Sequence, residues 1–305
     1  MTFKETLTVE AAAPFNFDLT AQIFGSGDRQ IRAYRDGVFS QILQLNGQLV
    51  LVKVASAGTI EQPKLTVELK ANKFITAEDK RKTKETIKFI FNLGFDLASF
   101  YEEIKDDRIM LVMTRQLYGL KNPTTPTVFE ALVDSIVEQQ ISIKVAINLE
   151  SRITKAFGEK LTSDEVTYYA FPTPQNIAKA TVQEVRDCGL SQRKAEYIHE
   201  TAQLITNGKL DLESMKSNSR PEEIIAELDA IRGIGVWTAE LTMLRGMQKL
   251  DALPADDFGI RRVISKYYCS GKPIKTAEAR EIARAWGRWK GLAAYYLIVA
   301  EIMGL

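Results

Sequence analysis

A Gly-Ile-Gly turn between two helical patterns restricts the fold of this 305-residue chain more than any other feature. Helical spacing ends at Ile231 and resumes at Val236, so only Arg-Gly-Ile-Gly joins the two segments. Two helices this close must turn sharply, and glycines supply the positive φ values that such a turn needs. The N–H groups of Gly235, Val236 and Trp237 would then lack intrahelical partners, as in phosphate sites. A plain helical hairpin also explains a bare Gly-X-Gly turn.

Two adjacent aspartates, Asp256 and Asp257, follow the turn and open another helical pattern. One of them is explained by helix capping, because Asp is favoured at the N-cap and in the first turn. A second adjacent carboxylate is less easily explained in this way. Residues 256–290 carry nine lysines and arginines against four carboxylates, which indicates either a solvated face or a surface for a polyanion.

Composition excludes several classes of function. A hydrophobic content of 45% and a charged content of 26% are typical of a soluble globular protein, and a formal net charge of +1 does not by itself indicate nucleic acid. One histidine and two cysteines argue against a His-ligated metal, a Ser-His triad, a disulfide framework or a four-cysteine iron–sulfur cluster. The N-terminus resembles neither a signal peptide nor an anchor. We therefore expect a cytoplasmic protein, nucleoid-associated in a prokaryote, with no membrane partner.

The pattern along the chain predicts an α+β fold. Residues 41–70 contain strand patterns, with a hairpin signal at Asn46-Gly47, and helical spacing follows over residues 77–104. The proline- and threonine-rich segment 121–127 predicts a linker, and the pattern beyond it is almost entirely helical. The sequence thus predicts an N-terminal antiparallel-sheet domain with helices at residues 1–120 and an all-helical body at residues 121–305.

These motifs together resemble the helix-hairpin-helix DNA glycosylases, and most closely 3-methyladenine DNA glycosylase II. The pattern is Gly-Ile-Gly, then Trp-Thr-Ala, then Leu-Pro-x-Asp-Asp about twenty residues later; TPTVFEALVDSIVEQQIS and RAWGRWKGLAAYYLIV extend the likeness over roughly residues 120–305. The resemblance implies a helix-hairpin-helix at about residues 222–246. It also implies a monomeric, monofunctional enzyme of base excision repair, which flips an alkylated base such as 3-methyladenine out of duplex DNA and hydrolyses its N-glycosidic bond.

The same resemblance assigns the catalytic carboxylate to Asp257, with Asp256 as a cap or supporting neighbour. Breaking the bond builds positive charge on the deoxyribose, which an ionised carboxylate stabilises. Family members that also cut the strand have a lysine at the position of Trp237, where it forms a Schiff base, so its absence here predicts no AP lyase activity. Trp237 is expected instead to stack on a cationic base, although core packing also explains it.

DNA contacts are implied for two turns. Gln140, next to Gln139, matches the position that fills the gap left by a flipped nucleotide, although a helix break with two exposed amides explains this pair equally well. The other DNA-binding residues implied are Gly233, Gly235, Val236, Thr238 and Arg261. The family also binds Na⁺ or K⁺ through backbone carbonyls, which here match Asp229, Ile231 and Ile234. No other cofactor, and no iron–sulfur cluster, is expected.

Two departures leave the damaged base open, because Leu241 and Ile298 stand where the best-known relative has aromatic residues in its base pocket. One alternative is a glycosylase for oxidised or deaminated bases, such as 8-oxoguanine, hypoxanthine or uracil. Another is a non-catalytic helix-hairpin-helix protein that only grips the DNA backbone, and such a protein would not need Asp257. A purely structural role for the hairpin and the aspartates does not account for the basic stretch beside them.

Overall fold

The computed structural model describes residues 2–305, and its first third is built on a five-stranded antiparallel sheet with strand order β1-β5-β4-β3-β2. The predicted turn at Asn46-Gly47 is present, with φ values of 49° and 74°, and joins two strands whose last pair is Leu45 with Gln48. The strands are β1 (Phe3–Glu10), β2 (Arg32–Arg35), β3 (Val38–Leu45), β4 (Gln48–Ser56) and β5 (Lys64–Ala71).

Four helices accompany this sheet, and the single helical pattern predicted over residues 77–104 is two helices in the structure. The first of the two ends before Asn92, which has a φ of 51°, and the second is capped by Asp96. Phe39 of the sheet packs against Phe91 with ring centroids 5.0 Å apart. The helices are α1 (Phe17–Phe24), α2 (Ala77–Ile90), α3 (Leu97–Glu103) and α4 (Arg108–Gln116).

The remainder of the chain is the predicted helical body, with one correction. It also contains a two-stranded hairpin, β6 (Lys160–Ser163) and β7 (Val166–Tyr169), whose Leu161 packs against Ile42 and Leu51 of the large sheet. The α+β fold is confirmed, but the body is not wholly helical. Its helices are α5 (Val128–Glu138), α6 (Ile143–Phe157), α7 (Pro174–Lys179), α8 (Val182–Asp187), α9 (Gln192–Thr206), α10 (Pro221–Asp229), α11 (Val236–Gly246), α12 (Phe258–Tyr268), α13 (Thr276–Ala283) and α14 (Lys290–Met303).

Residues 121–125 of the segment predicted to be a linker are buried. Lys121 is 0% exposed, and its Nζ donates to the backbone carbonyls of Ala12, Leu93 and Phe95, at 2.9, 3.2 and 2.8 Å. Burial lowers the pKa of this amine to about 8. Hydrogen bonds to three carbonyl groups hold Lys121 in place, so residue 121 is packed against the N-terminal unit and is not part of a flexible linker.

The hydrophobic cores do not divide at residue 120. One cluster joins α3 and α4 to α12 and α14, and within it Phe100 lies 5.9 Å from Trp289 between ring centroids. Trp286 and Trp289 are 1% and 7% exposed, as expected for core packing. The division into residues 1–120 and 121–305 stays a prediction. Within residues 2–305, no helix combines the length and the apolar character needed to cross a membrane.

Candidate active site

The helix-hairpin-helix lies where the sequence predicts it, with α10 and α11 joined by residues 230–235. Gly233 has a φ of 85°, and a Cβ there would lie 2.2 Å from the ring of Tyr197. Both the backbone conformation and the lack of space for a side chain therefore require glycine at this position. The expectation of positive φ at both glycines was wrong. Gly235 has φ −100° and ψ 179°, which is extended backbone, and a Cβ there would meet nothing within 4 Å.

The N-terminus of α11 is open to an anion. Gly235 is its N-cap and provides no side-chain cap, so within the described residues the N–H groups of Gly235, Val236 and Trp237 have no acceptor. Val236 is 41% exposed. Unpaired N–H groups and the positive end of the helix dipole favour a phosphate at this point.

The side chains of Gln139 and Thr238 hold this hairpin in place. The Nε2 of Gln139 donates to the carbonyl of Gly233 and to Oγ1 of Thr238, both at 3.0 Å. Thr238 is only 2% exposed. These two hydrogen bonds tie the end of α5 to the turn, and the DNA contacts expected of Gln139 and Thr238 stay predictions.

Lys194 fixes the same end of α5 and was missed by sequence reasoning. Its Nζ donates to the carbonyls of Val137 and Gln139, at 2.8 and 2.6 Å, and burial lowers the pKa of the amine. A lysine that contacts carbonyls more than fifty residues away leaves no local sequence signal.

Gln140 occupies the tip between α5 and α6. It is exposed and has a φ of 57°, a conformation that non-glycine residues adopt rarely and at a cost in backbone energy. Its side chain has no hydrogen bond to any of the described residues. This placement suits a side chain that enters a duplex, and the filling role of Gln140 stays a prediction.

Asp257 is the N-cap of α12, and its two carboxylate oxygens have different donors. Oδ1 accepts from the backbone N–H of Ile260 at 3.0 Å, and Oδ2 accepts from Nε1 of Trp237 at 3.2 Å. The carboxylate is therefore held by the hairpin helix α11 on one side and by the start of α12 on the other. Both donors are neutral groups, so they fix the position of the carboxylate without forming an ion pair with it.

Asp256 does not cap the helix, which corrects one of its two expected roles. Its side chain is exposed and accepts from Oγ1 of Thr276 at 2.7 Å. Arg261, expected to contact DNA, donates through Nη1 to the carbonyl of Asp256 at 3.1 Å and to the same threonine at 3.2 Å. These three residues brace the loop that carries Asp257.

Asp257 opens onto a cleft of about 410 Å³, within the usual size range of small-molecule sites. Leu241, Ile260 and Ile298 supply apolar walls. Trp237 is not among the described residues that line the cleft, so its stacking on a base stays a prediction. Seven residues between Ile23 and Arg32, from the end of α1 to the start of β2, also line the cleft and give the N-terminal unit a part in the site.

One wall of this cleft, here named the acidic face, consists of Glu130, Asp134 and Glu138 from α5 together with Glu150 from α6. The three on α5 are spaced i, i+4, i+8 and share one side of the helix. Arg245 pairs with Glu138 at 2.5 Å. Burial raises the pKa of Glu130 to about 6, that of Glu150 to about 7, and that of Asp134 well above its ordinary value.

Glu150, which is half-buried, is expected to make the free energy of unfolding depend on pH. Its pKa rises from 4.5 to about 7 on folding, mainly through burial and then through Glu138, so the folded chain keeps a proton that the unfolded chain has lost between those pH values. The free energy of unfolding should therefore decrease as pH rises through this range. Glu150→Gln should be more stable than wild type by about 1–3 kcal/mol at pH 8, with little difference at pH 4.

Urea denaturation at both pH values measures this effect, and Glu159→Gln, an exposed glutamate, is the matched control. A Glu150→Gln variant that is no more stable than wild type at pH 8 would contradict this assignment of the buried charge.

Comparison with known proteins agrees with this geometry. A family model described as HhH-GPD superfamily base excision DNA repair protein matches residues 133–288. A DNA-3-methyladenine glycosylase of Bacillus subtilis is 34% identical over 220 residues, which cover 71% of this chain and 72% of the relative.

Solved structures show the same likeness over the full length. The 3-methyladenine DNA glycosylase from Archaeoglobus fulgidus superposes with a TM-score of 0.86 at 28% identity, covering 98% of this chain and 99% of that one. An 8-oxoguanine glycosylase/lyase of Clostridium acetobutylicum, in complex with double-stranded DNA, has a TM-score of 0.76 at 22% identity, covers 100% and 99% of the two chains, and shares the fold alone. The chain thus belongs to the HhH-GPD superfamily of base excision DNA repair proteins.

Proposed function

We propose that this chain is a monofunctional DNA glycosylase that removes alkylated bases from duplex DNA by hydrolysis. The observation that carries the proposal is Asp257, whose carboxylate is fixed at the mouth of a base-sized cleft beside an open helix N-terminus. Two of the relatives are named 3-methyladenine glycosylases, which supports alkylated bases as substrates. The 8-oxoguanine enzyme is similar only in fold and does not support oxidised bases. The chain would act as a cytoplasmic monomer.

The carboxylate of Asp257 would act on charge that develops in the sugar. As the N-glycosidic bond breaks, positive charge accumulates on the deoxyribose, and a fixed anion beside it lowers the barrier electrostatically. The departing base would occupy the cleft between Leu241 and Ile298, and a water molecule guided by Asp257 would complete the reaction. The product is an abasic site in an uncut strand.

The hairpin would grip the DNA backbone near this carboxylate. The N–H groups at the start of α11 suit one phosphate. Among the carbonyls matched to the cation site, those of Asp229 and Ile234 accept no hydrogen bond within the described residues, and that of Ile231 accepts one, from Ile234 at 3.1 Å. These free carbonyl oxygens fit Na⁺ or K⁺, which when bound would add positive charge toward a second phosphate.

A duplex with one 7-methylguanine tests the proposed function directly. Chromatography should show free 7-methylguanine, and the strand should break only after alkaline treatment. If no base is released, the proposed function is wrong.

Absence of AP lyase activity is a separate expectation. Trp237 provides no amine, and the described residues that line the cleft include no lysine, so no Schiff base with the sugar should form. Borohydride added during the reaction should trap no covalent protein–DNA complex, whereas a glycosylase/lyase run in parallel should give one. A trapped complex with this chain would refute the monofunctional mechanism.

A further inference from the structure

We infer that the acidic face is a specificity subsite, which binds the N–H-bearing edge of a positively charged alkylated base. This inference rests on the proposed function and adds the chemical property that the site selects. It concerns residues on the cleft wall formed by α5 and α6, to which neither the hairpin nor Asp257 belongs.

The first observation is that two carboxylates of the acidic face are buried without a hydrogen-bond donor. Asp134 is 6% exposed and lines the cleft, yet its carboxylate accepts no hydrogen bond from any of the described residues. Glu130 is 3% exposed, and its nearest cation, Nη1 of Arg32, lies 3.6 Å away, beyond hydrogen-bond distance. Buried carboxylates are costly unless they are hydrogen-bonded, so both are expected to have partners when the site is in use.

The second observation is that three other residues that line the cleft carry buried polar atoms without a hydrogen bond. Oε1 of Glu150, Nη1 of Arg32 and the hydroxyl of Tyr295 are buried, and none has a hydrogen-bond partner within residues 2–305. All three residues line the cleft. Because buried polar groups in folded proteins are nearly always paired, this concentration of unpaired atoms around one space indicates a polar ligand.

The charge of the wall selects the kind of ligand. Its four carboxylates lie beside two arginines. Arg245 pairs with Glu138 at 2.5 Å and Arg32 lies 3.6 Å from Glu130, so within residues 2–305 Asp134 and Glu150 have no ion-pair partner. A metal ion is a poor fit, because no group of three or more His, Cys, Asp or Glu side chains within residues 2–305 is arranged to hold one. An organic cation with N–H donors satisfies both the negative charge and the empty acceptors.

An alkylated purine has these properties, and a neutral lesion does not. 7-Methylguanine is a 6-oxopurine with a positive ring and an exocyclic amino group, whereas hypoxanthine is a neutral 6-oxopurine without that group. Burial and neighbouring carboxylates raise the pKa of Asp134, and a cation bound beside it would favour the ionised carboxylate. The acidic face should therefore favour 7-methylguanine over hypoxanthine.

The test compares single-turnover release of 7-methylguanine and of hypoxanthine from otherwise identical duplexes at pH 8. Asp134→Asn and Glu150→Gln keep the side-chain shape and remove the charge. Each should lower release of 7-methylguanine by about tenfold or more while hypoxanthine release stays the same or rises. Asp106→Asn, an exposed aspartate away from the cleft, should leave the ratio unchanged. Equal losses on both substrates, or an unchanged ratio, would overturn the subsite.

Failure of the proposed function is recognised separately, because the wild type would then release neither base. In that case the subsite is tested by measuring how two nucleosides, cationic 1-methyladenosine and neutral inosine, bind to wild type and to both variants in a calorimeter. Preference for 1-methyladenosine that the substitutions abolish supports the acidic face. Equal binding of both nucleosides by the wild type, or a preference that survives in the variants, refutes it.

Discussion

Asp257→Asn is expected to lower base release from alkylated duplex DNA by roughly 10²–10³-fold or more, while duplex binding stays within about threefold. Asparagine retains one side-chain oxygen, which can cap α12, so the fold and the DNA-binding hairpin should persist although the hydrogen bond from Trp237 is lost. What it removes is the negative charge that stabilises the sugar cation. Single-turnover release and filter binding on the same duplex separate these two effects.

The matched control is Asp256→Asn. This side chain is exposed and contacts Thr276, so its loss should change release by no more than about threefold, in line with a surface substitution. Unchanged release by the Asp257 variant would contradict the mechanism. A large loss in the Asp256 variant alone would show that the roles of the two aspartates are reversed.

Gly233→Ala is expected to have the largest effect on stability, a loss of about 3 kcal/mol or more in the free energy of unfolding. The positive φ alone costs an alanine about 1–2 kcal/mol, and the added Cβ would also overlap the ring of Tyr197. Because the turn presents the N–H groups of α11, affinity for duplex DNA should fall as well. Urea denaturation and filter binding measure the two consequences.

Gly208→Ala separates the cost of backbone strain from the cost of steric overlap with a neighbouring side chain. Its φ of 68° is similar, but nothing lies within 4 Å of the added Cβ, so only the backbone cost of about 1–2 kcal/mol is expected. Equal losses of stability in the two variants would show that contact with Tyr197 does not restrict the turn.

The hairpin and Asp257 could be predicted from sequence because their signals are local. A glycine turn, an intervening helix and an aspartate at a helix start occur within residues 228–262. Local rules did not show which aspartate caps the helix, since both types of position favour Asp. The contact between the indole of Trp237 and Asp257 could not be predicted either, because it forms only when α11 and α12 pack together.

The acidic face could not be predicted, because helical periodicity placed its residues on the polar side of α5. Glu130 and Asp134 follow the spacing of a solvated face, yet both are buried. They are covered by α6 and by the segment that ends at Arg32, which is about a hundred residues earlier in the chain. Lys121 is similar, since a lysine between prolines and threonines gives no sign of three carbonyl partners.

The central claim, hydrolytic release of alkylated bases by Asp257, is tested most directly with a panel of duplexes. They carry 3-methyladenine, 7-methylguanine, hypoxanthine, uracil or 8-oxoguanine, and the released base is identified by chromatography for wild type and Asp257→Asn. Wild type should release the two methylated purines fastest, and the variant should release neither above background. Fastest release of 8-oxoguanine or uracil, or equal release by the variant, would contradict the account.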